Sequence, residues 1–120
     1  MNIFILAGEP SGDEYGAKLM QELTSINSNI SFSGIGGSLM EKQGLKSIAP
    51  FNQMSVMGFF EIIKTLPFFL KLEKNILKFL KDQKPEKVIL IDYPGLNLRL
   101  TPKIKSSIGT KIFYYISPQI

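Results

Sequence analysis

NIFILAGEPSGDEYGAKLMQEL, residues 2–23, is the stretch that decides the predicted fold. Its apolar run Asn2–Ala7 is short, continuous and followed by glycine, as is typical of a buried strand. The pattern then becomes helical and continues to about Ser25. Ser11 would be the N-cap of this helix and Glu14 its third residue, which together predict a capping box. A strand, a glycine-containing turn and a helix in this order predict the first half of a βαβ unit.

The same alternation of strands and helices recurs along the rest of the chain. Further strands are predicted at Ile30–Ile35, Lys87–Ile91 and Lys111–Ile116, with a weaker one within Lys46–Phe51. Helices are predicted from Gly36 to about Gln43 and from about Ser55 to Asp82, the second divided near Pro67. These units predict an α/β fold with a mostly parallel sheet and helices on both faces. No linker or repeat is evident, so residues 1–120 are expected to form a single domain.

Composition limits the chemistry that the chain can perform. It has 14 lysines and arginines, 10 aspartates and glutamates, a net charge of +4, and no histidine or cysteine. The missing residue types exclude Ser-His-Asp catalysis, thiolate chemistry and His/Cys zinc sites. Acid–base chemistry must therefore come from Asp, Glu, Lys or Tyr. The mild positive charge suits phosphate or anionic lipid, but no nucleic-acid-binding motif is present, so no nucleic acid is expected as a partner. The N-terminus lacks the features of a signal peptide, which predicts a cytoplasmic protein.

Polar turns, two of them rich in glycine, follow the predicted strands at their carboxyl ends. They are Gly8–Asp13, Gly34–Ser38, Asp92–Asn97 and the segment around Ser117. Because parallel sheets bind ligands at this edge, the turns predict a binding cleft. In the first turn, Glu9 and Asp13 would repel a phosphate and suit sugar hydroxyls; a capped helix start without a ligand is the alternative. In the second turn, free N–H groups at a helix start favour an anion, and a tight connection without a ligand is the alternative.

Asp92 is the strongest single candidate for a catalytic residue. It comes directly after four apolar residues of the strand Lys87–Ile91, at the mouth of a buried strand. A carboxylate that is partly removed from water is a stronger base, which predicts a general base here. The alternative is that Asp92 only accepts hydrogen bonds from turn amides, as aspartate does before Pro-Gly. Asn97 is either a second polar group of the site or a turn residue.

The long helical segment has two different halves. In its second half an apolar stripe lies opposite four lysines, Lys71, Lys74, Lys78 and Lys81. This pattern favours a core helix with a solvated lysine face. In the first half, residues 59–70, apolar groups cover almost every side, and contact with a membrane interface or an acyl chain is the alternative to a buried helix. Charged residues interrupt this half, so no run reaches the length that spans a bilayer.

Five sequence blocks occur in the order and at the spacing of a known family. They are AGEPSGDEYGAKLM, FSGIGGSLMEKQGL, MSVMGFFEII, IDYPGLNLRL and YYISPQ. Together they resemble the N-terminal region of the lipid A disaccharide synthases, and the resemblance covers essentially the whole chain. It implies a Rossmann-like domain, the partial N-terminal, acceptor-side domain of a GT-B glycosyltransferase. The chain is then expected to be truncated, with the family's C-terminal nucleotide-binding domain absent.

The resemblance also implies a reaction. A family member transfers 2,3-diacylglucosamine from its UDP derivative to 2,3-diacylglucosamine 1-phosphate with inversion, forming the lipid A disaccharide 1-phosphate and UDP. No metal ion or other cofactor is expected. Because both substrates carry acyl chains, the expected location is peripheral, on the cytoplasmic face of the inner membrane. One alternative is a non-catalytic fragment that binds membranes or acyl sugars; another, a nicotinamide-dependent enzyme, lacks the expected G-x-G-x-x-G motif.

The resemblance assigns roles to residues at matching positions. Asp92 matches the family's essential aspartate and is the expected base for the acceptor 6-hydroxyl. The expected substrate-binding residues lie in the turns: Gly8, Glu9, Ser11, Gly12, Asp13, Gly36, Gly37, Asn97 and Ser117. The expected membrane or acyl-chain contacts lie in the apolar segment: Phe59, Phe60, Ile62, Ile63, Leu66, Phe69 and Leu70. One departure is Gly95, where many members carry a second aspartate, so no acid is required at that position.

Overall fold

The computed structural model describes residues 1–49, 62–91, 101–106 and 110–115, and for residues 62–69 and 115 it describes the backbone alone. The strands are β1 (Asn2–Leu6), β2 (Ser31–Ile35), β3 (Lys46–Ser47), β4 (Lys87–Ile91) and β5 (Lys111–Tyr115). The helices are α1 (Pro10–Ile26), α2 (Ser38–Lys42), α3 (Ile62–Gln83) and α4 (101–106). All strand pairs are parallel, in the order β3-β2-β1-β4-β5. This arrangement confirms the predicted α/β fold.

Two apolar layers, one on each face of the sheet, form the core. Phe4 and Leu6 of β1 point to the face that α3 and α4 cover. Ile3 and Ile5 point to the opposite face, where they pack in one cluster with Met20 of α1 and Met40 of α2. The two layers arise because successive residues of a strand point to opposite faces. Helices on both faces of a sheet with this strand order define a doubly wound, Rossmann-like domain.

The second half of α3 is a core helix. Leu72, Ile76 and Leu80 lie one turn apart and are buried against the sheet, and Phe79 packs on Phe4 with ring centroids 5.9 Å apart. The opposite side of the helix exposes the four predicted lysines, Lys71, Lys74, Lys78 and Lys81. Each buried apolar side chain contributes about 1.5–3 kcal/mol, so packing on the sheet holds this half of the helix in place. The core-helix interpretation of this half is confirmed.

The start of α1 differs from the prediction. The helix begins at Pro10, and its N-cap is Glu9, whose side chain makes no capping hydrogen bond. Ser11 therefore lies inside the helix, and the predicted capping box of Ser11 and Glu14 is wrong. Proline favours the first helical position because its φ is already helical and its missing N–H has no intrahelical partner there.

Pro67 does not divide the long helix. α3 runs unbroken from Ile62 to Gln83, so the predicted division is wrong. A proline inside a helix removes one backbone hydrogen bond and costs about 3 kcal/mol or more. Burial of the stripe that begins at Leu72 is large enough to offset this cost, which is a tertiary effect that the local pattern does not show.

Glu86 joins the amino ends of β1 and β4. Its carboxylate accepts a hydrogen bond from the Asn2 N–H at 2.5 Å, and its own N–H donates to the Asn2 carbonyl at 2.9 Å. The hydrogen bond from Asn2, with a smaller one from its own backbone, holds the pKa of the Glu86 carboxyl below its ordinary value of 4.5. A lowered pKa stabilises the fold above the ordinary value, and this contribution is lost as the pH falls through the lowered pKa.

We therefore expect Glu86→Gln to lower the melting temperature at about pH 7 and to have a smaller effect at an acidic pH below the lowered pKa, where the wild-type carboxyl is also protonated. Thermal unfolding followed by circular dichroism measures both values. Glu22→Gln, at an exposed position of α1, is the matched control and should show no such pH dependence. Equal effects of Glu86→Gln at both pH values would contradict the assignment.

Candidate functional site

The carboxyl ends of β1, β2 and β4 meet at one edge of the sheet. Leu6 of β1 pairs with Ile35 of β2 on one side and with Leu90 of β4 on the other. The Ala7 N–H donates to the Ile35 carbonyl oxygen at 2.8 Å. The polar turns that follow β1 and β2 therefore begin side by side, at the edge where parallel sheets bind ligands.

Asp13 fastens these two turns together. Its carboxylate accepts hydrogen bonds from three backbone N–H groups at the start of α2: Gly37 at 2.8 Å, Met40 at 3.0 Å and Leu39 at 3.2 Å. The residue is 6% exposed, so these bonds form largely out of water. Asp13, in the first turn of α1, thus provides the cap of α2. A negative charge at this position is favourable because the N–H groups of a helix start carry partial positive charge.

Three backbone N–H groups at the start of α2 are already occupied and cannot bind an external anion. The carboxylate of Asp13 already accepts from Gly37, Leu39 and Met40, so these three donors are not free, and the anion site of the second turn stays a prediction. Local sequence could not show this, since the acceptor lies 24 residues before the first donor. The predicted role of Asp13 as a substrate contact stays a prediction. In the structure, both of its carboxylate oxygens accept hydrogen bonds from N–H groups at the start of α2.

Gly36 and Gly37 allow this close approach. A Cβ atom on Gly37 would lie 2.5 Å from Asp13 Oδ2, and one on Gly36 would lie 2.5 Å from Met40 Sδ. Neither distance is compatible with ordinary van der Waals contact, although the methionine could move. The two predicted site glycines therefore have a demonstrable packing role, and their contact with a substrate stays a prediction.

The first turn presents polar side chains at the rim and glycines in the wall. Glu9 and Ser11 are exposed at the start of α1, whereas Gly8 and Gly12 are buried. A Cβ atom on Gly12 would lie 3.3 Å from both Ala7 Cβ and Ile91 Cγ2, so the glycine brings α1 close to the end of β4. The exposed carboxylate and hydroxyl can hydrogen-bond a ligand that carries hydroxyl groups.

Several predicted site residues lie outside the described residues, or have only their backbone described. Asp92 follows directly after Ile91, the last residue of β4, and its own placement is outside the described residues, as are those of Asn97, Ser117, Phe59 and Phe60. The backbone alone is described for four residues of α3: Ile62, Ile63, Leu66 and Phe69. Leu70 is described, and 40% of it is exposed. The roles of all these residues stay predictions.

An ion pair between a buried carboxylate and a half-exposed lysine was not anticipated from the sequence. Glu73 of α3 is 3% exposed, and its Oε1 lies 2.5 Å from Lys103 Nζ of α4. The pair joins two helices on the same face of the sheet. The available signal was the position of Glu73 directly beside Leu72 on the apolar stripe, where an unpaired carboxylate would be costly. Its partner, 30 residues away, is visible only in the structure.

The described part of the chain contains neither a metal-binding group of acidic residues nor a helix that could cross a membrane. Across its four ranges, no three acidic side chains gather in a way that could hold a metal ion. Among the helices of the same ranges, none combines the length and apolar character needed to cross a membrane.

Fold and site together define the class of protein: a doubly wound α/β domain with its binding edge at the carboxyl ends of the strands. Within this class, the family model described as lipid-A-disaccharide synthetase matches residues 3–120. The chain therefore belongs to the lipid-A-disaccharide synthetase family.

Individual members of the family are similar over the same region. Lipid-A-disaccharide synthase 1 of Legionella pneumophila strain Paris is 43% identical over 118 residues, which is 98% of this chain. The lipid-A-disaccharide synthases of Francisella philomiragia and Coxiella burnetii strain Dugway are 42% and 35% identical over 100% and 99% of the chain. In all three cases the match covers 31% of the relative. The chain thus spans about a third of the length of the curated relatives it matches.

Proposed function

We propose that the chain is the N-terminal, acceptor-side part of a glycosyltransferase of lipid A biosynthesis. The family-length protein transfers 2,3-diacylglucosamine from its UDP derivative to 2,3-diacylglucosamine 1-phosphate. The products are the disaccharide 1-phosphate and UDP. The family match over residues 3–120 carries this proposal. The two adjoining turns at the carboxyl edge of the sheet support it.

In the proposed mechanism, the carboxylate of Asp92 removes the proton from the acceptor 6-hydroxyl. The resulting oxygen forms a bond to the anomeric carbon of the donor sugar, and the bond between that carbon and the UDP oxygen breaks, with inversion. Asp92 comes directly after a strand of which Val88–Ile91 are buried. Glu9 and Ser11 would hydrogen-bond sugar hydroxyls, and the pair of helices joined by Asp13 would form a rigid wall.

The nucleotide-binding residues are expected in the two-thirds of a family-length protein that this chain does not span. Residues 1–120 alone should therefore show no turnover. The test compares sugar transfer by the chain alone with transfer by the chain joined to the remaining two-thirds of the Legionella pneumophila relative. Transfer is expected only from the joined protein, with or without a metal chelator. A joined protein that folds, as judged by circular dichroism, and transfers no sugar contradicts the proposal.

A second candidate function, docking on a membrane, has its own observation. α3 exposes Leu70 beside a continuous lysine face that ends at Lys81. Exposed apolar and basic groups on one helix suit the surface of an anionic bilayer, and we propose that the protein is peripheral on the cytoplasmic face of the inner membrane. In the alternative form of the proposal, the chain binds membranes or acyl sugars without catalysis.

We expect Lys74→Gln combined with Lys78→Gln to weaken binding to anionic vesicles by roughly thirtyfold. Each lysine near such a surface adds about 1 kcal/mol, and the loss of two corresponds to that factor. Vesicle sedimentation measures the affinity. The matched control is Lys18→Gln combined with Lys42→Gln, two exposed lysines on the opposite side of the sheet, which should leave binding unchanged.

The apolar part of the docking surface needs a separate variant. Phe60→Ser combined with Phe69→Ser should also reduce vesicle association, including association with neutral vesicles. If neither this pair of substitutions nor the lysine pair changes vesicle association, the docking proposal is wrong.

A further inference from the structure

A mostly apolar groove lies on the α1 side of the sheet, at the amino edge, opposite the edge that carries the proposed active site. Its volume is about 580 Å³. β1, β4, β5 and the C-terminal half of α1 form its walls, with six apolar residues among those that line it: Ile3, Leu19, Leu23, Ile30, Ile89 and Phe113. We call this feature the α1-side groove.

The topology leaves this groove without a covering helix among the described residues. α1 connects β1 to β2, and α2 connects β2 to β3, so both helices belong to the half of the sheet away from β5. α3 and α4 lie on the opposite face. Across the sheet, Ile5 pairs with Ile89 and Ile89 with Phe113, so all three point to the α1 side. The exposed fraction of the residue is 0% for Ile5, 6% for Ile89 and 47% for Phe113. Parallel sheets are normally covered on both faces, so a covering element is missing among the residues that the structure describes.

The length of the relatives indicates where that element comes from. This chain spans 31% of the Legionella and Francisella proteins. More than two-thirds of each relative therefore lies outside the matched region and can supply the covering element. A helix is about 10–12 Å across with its side chains, and it is the element that normally covers a parallel sheet.

The charges around the groove constrain the covering helix further. Lys87 and Lys111 pair in register at the amino edge, and Lys87 Nζ lies 5.9 Å from the centre of the Phe113 ring. An apolar floor beside two cations is complementary to a helix with an apolar stripe and an acidic flank.

We propose that the α1-side groove binds an amphipathic helix with an acidic flank, supplied by the remaining two-thirds of a family-length chain. The proposal rests on family membership and on the exposed face of β5. It does not depend on the proposed reaction, so a family-length protein with no activity could still show it. Conversely, an active protein could fail to show it.

Thiol labelling can test this, because the natural chain has no cysteine. The variant Phe113→Cys reports on the groove, and Leu70→Cys, at a residue that is 40% exposed on the other face, is the matched control. Maleimide labelling rates are read on the individual peptides by mass spectrometry. They are measured in the chain alone, in the chain joined to the remaining part of the Legionella relative, and in the chain with that part added separately.

In the chain alone, the two positions should label at similar rates. In the joined protein, labelling of Phe113→Cys should slow by roughly tenfold or more, as for a side chain that becomes buried, while Leu70→Cys is unchanged. Adding Lys87→Glu and Lys111→Glu should restore much of the labelling in the mixture of separate parts, because the acidic flank would then be repelled.

Four outcomes would overturn the proposed binding of a helix, and a fifth would overturn its acidic flank alone. The first is no slowing in either arrangement, and the second is equal slowing at both positions. The third is slowing in the chain alone that grows with concentration, which would identify a second copy as the occupant. The fourth is slowing on addition of sodium myristate but not on joining, which would identify an acyl ligand. If Phe113→Cys still labels slowly after both lysine substitutions, the covering helix has no acidic flank.

Discussion

Asp92→Asn in a family-length protein is expected to lower the rate of sugar transfer by about 10²–10⁴-fold, the usual contribution of a general base. Asparagine has nearly the same shape and can still accept hydrogen bonds, but it cannot take up the proton of the acceptor hydroxyl. The loss should therefore appear in kcat, with KM little changed. The measurement is the initial rate of disaccharide 1-phosphate formation at saturating donor and acceptor.

Asp82→Asn is the matched control for this experiment. Asp82 is exposed near the end of α3, so the same chemical change there should leave the rate as it is in the wild type. Near-normal kcat for Asp92→Asn would remove Asp92 from the mechanism, and the alternative that it only accepts hydrogen bonds from its turn would then stand.

The second large effect concerns the stability of the site. Asp13→Ala is expected to lower the free energy of unfolding of residues 1–120 by about 2–4 kcal/mol, because it leaves three N–H groups at the start of α2 without their acceptor. The contact is largely buried, so water can replace the carboxylate only in part. Urea unfolding followed by circular dichroism gives the free energy, and the slope of the transition shows whether unfolding remains two-state.

Glu14→Ala separates this cap from the capping box that the sequence indicated. Glu14 is the next residue of α1 and is exposed. Since the capping box does not form, its loss should change the free energy of unfolding by no more than about 0.5 kcal/mol. A loss at Glu14 as large as the loss at Asp13 would contradict the assignment of Asp13 as the cap of α2.

The strands were predictable because their signal is local. Asn2–Leu6 and Lys87–Ile91 are short apolar runs that end in turn residues, and a strand buried on both faces needs no more than this. The carboxyl edge followed from the same runs, because parallel strands place their turns together. The lysine face of α3 was predictable for a similar reason, since its period of 3.6 residues is contained within one helix.

Other features were not predictable from local pattern. Asp13 and Glu14 are adjacent acids in the first turn of one helix, yet one caps a different helix and the other faces water. Pro67 has the usual signature of a helix boundary and lies inside a continuous helix. In both cases the deciding interactions come from residues that are distant in the chain.

The sequence by itself determined the order of strands and helices, the parallel sheet, the family and the candidate residues, because each depends on residue types at short or fixed spacing. Only the tertiary structure decided which polar groups are already satisfied. It showed that Asp13 is bound to α2, that Glu73 is paired with Lys103, and that Phe113 is exposed on the α1 side. The physical reason is that a hydrogen bond or a buried face depends on what lies within a few ångströms, and chain separation gives no measure of that distance.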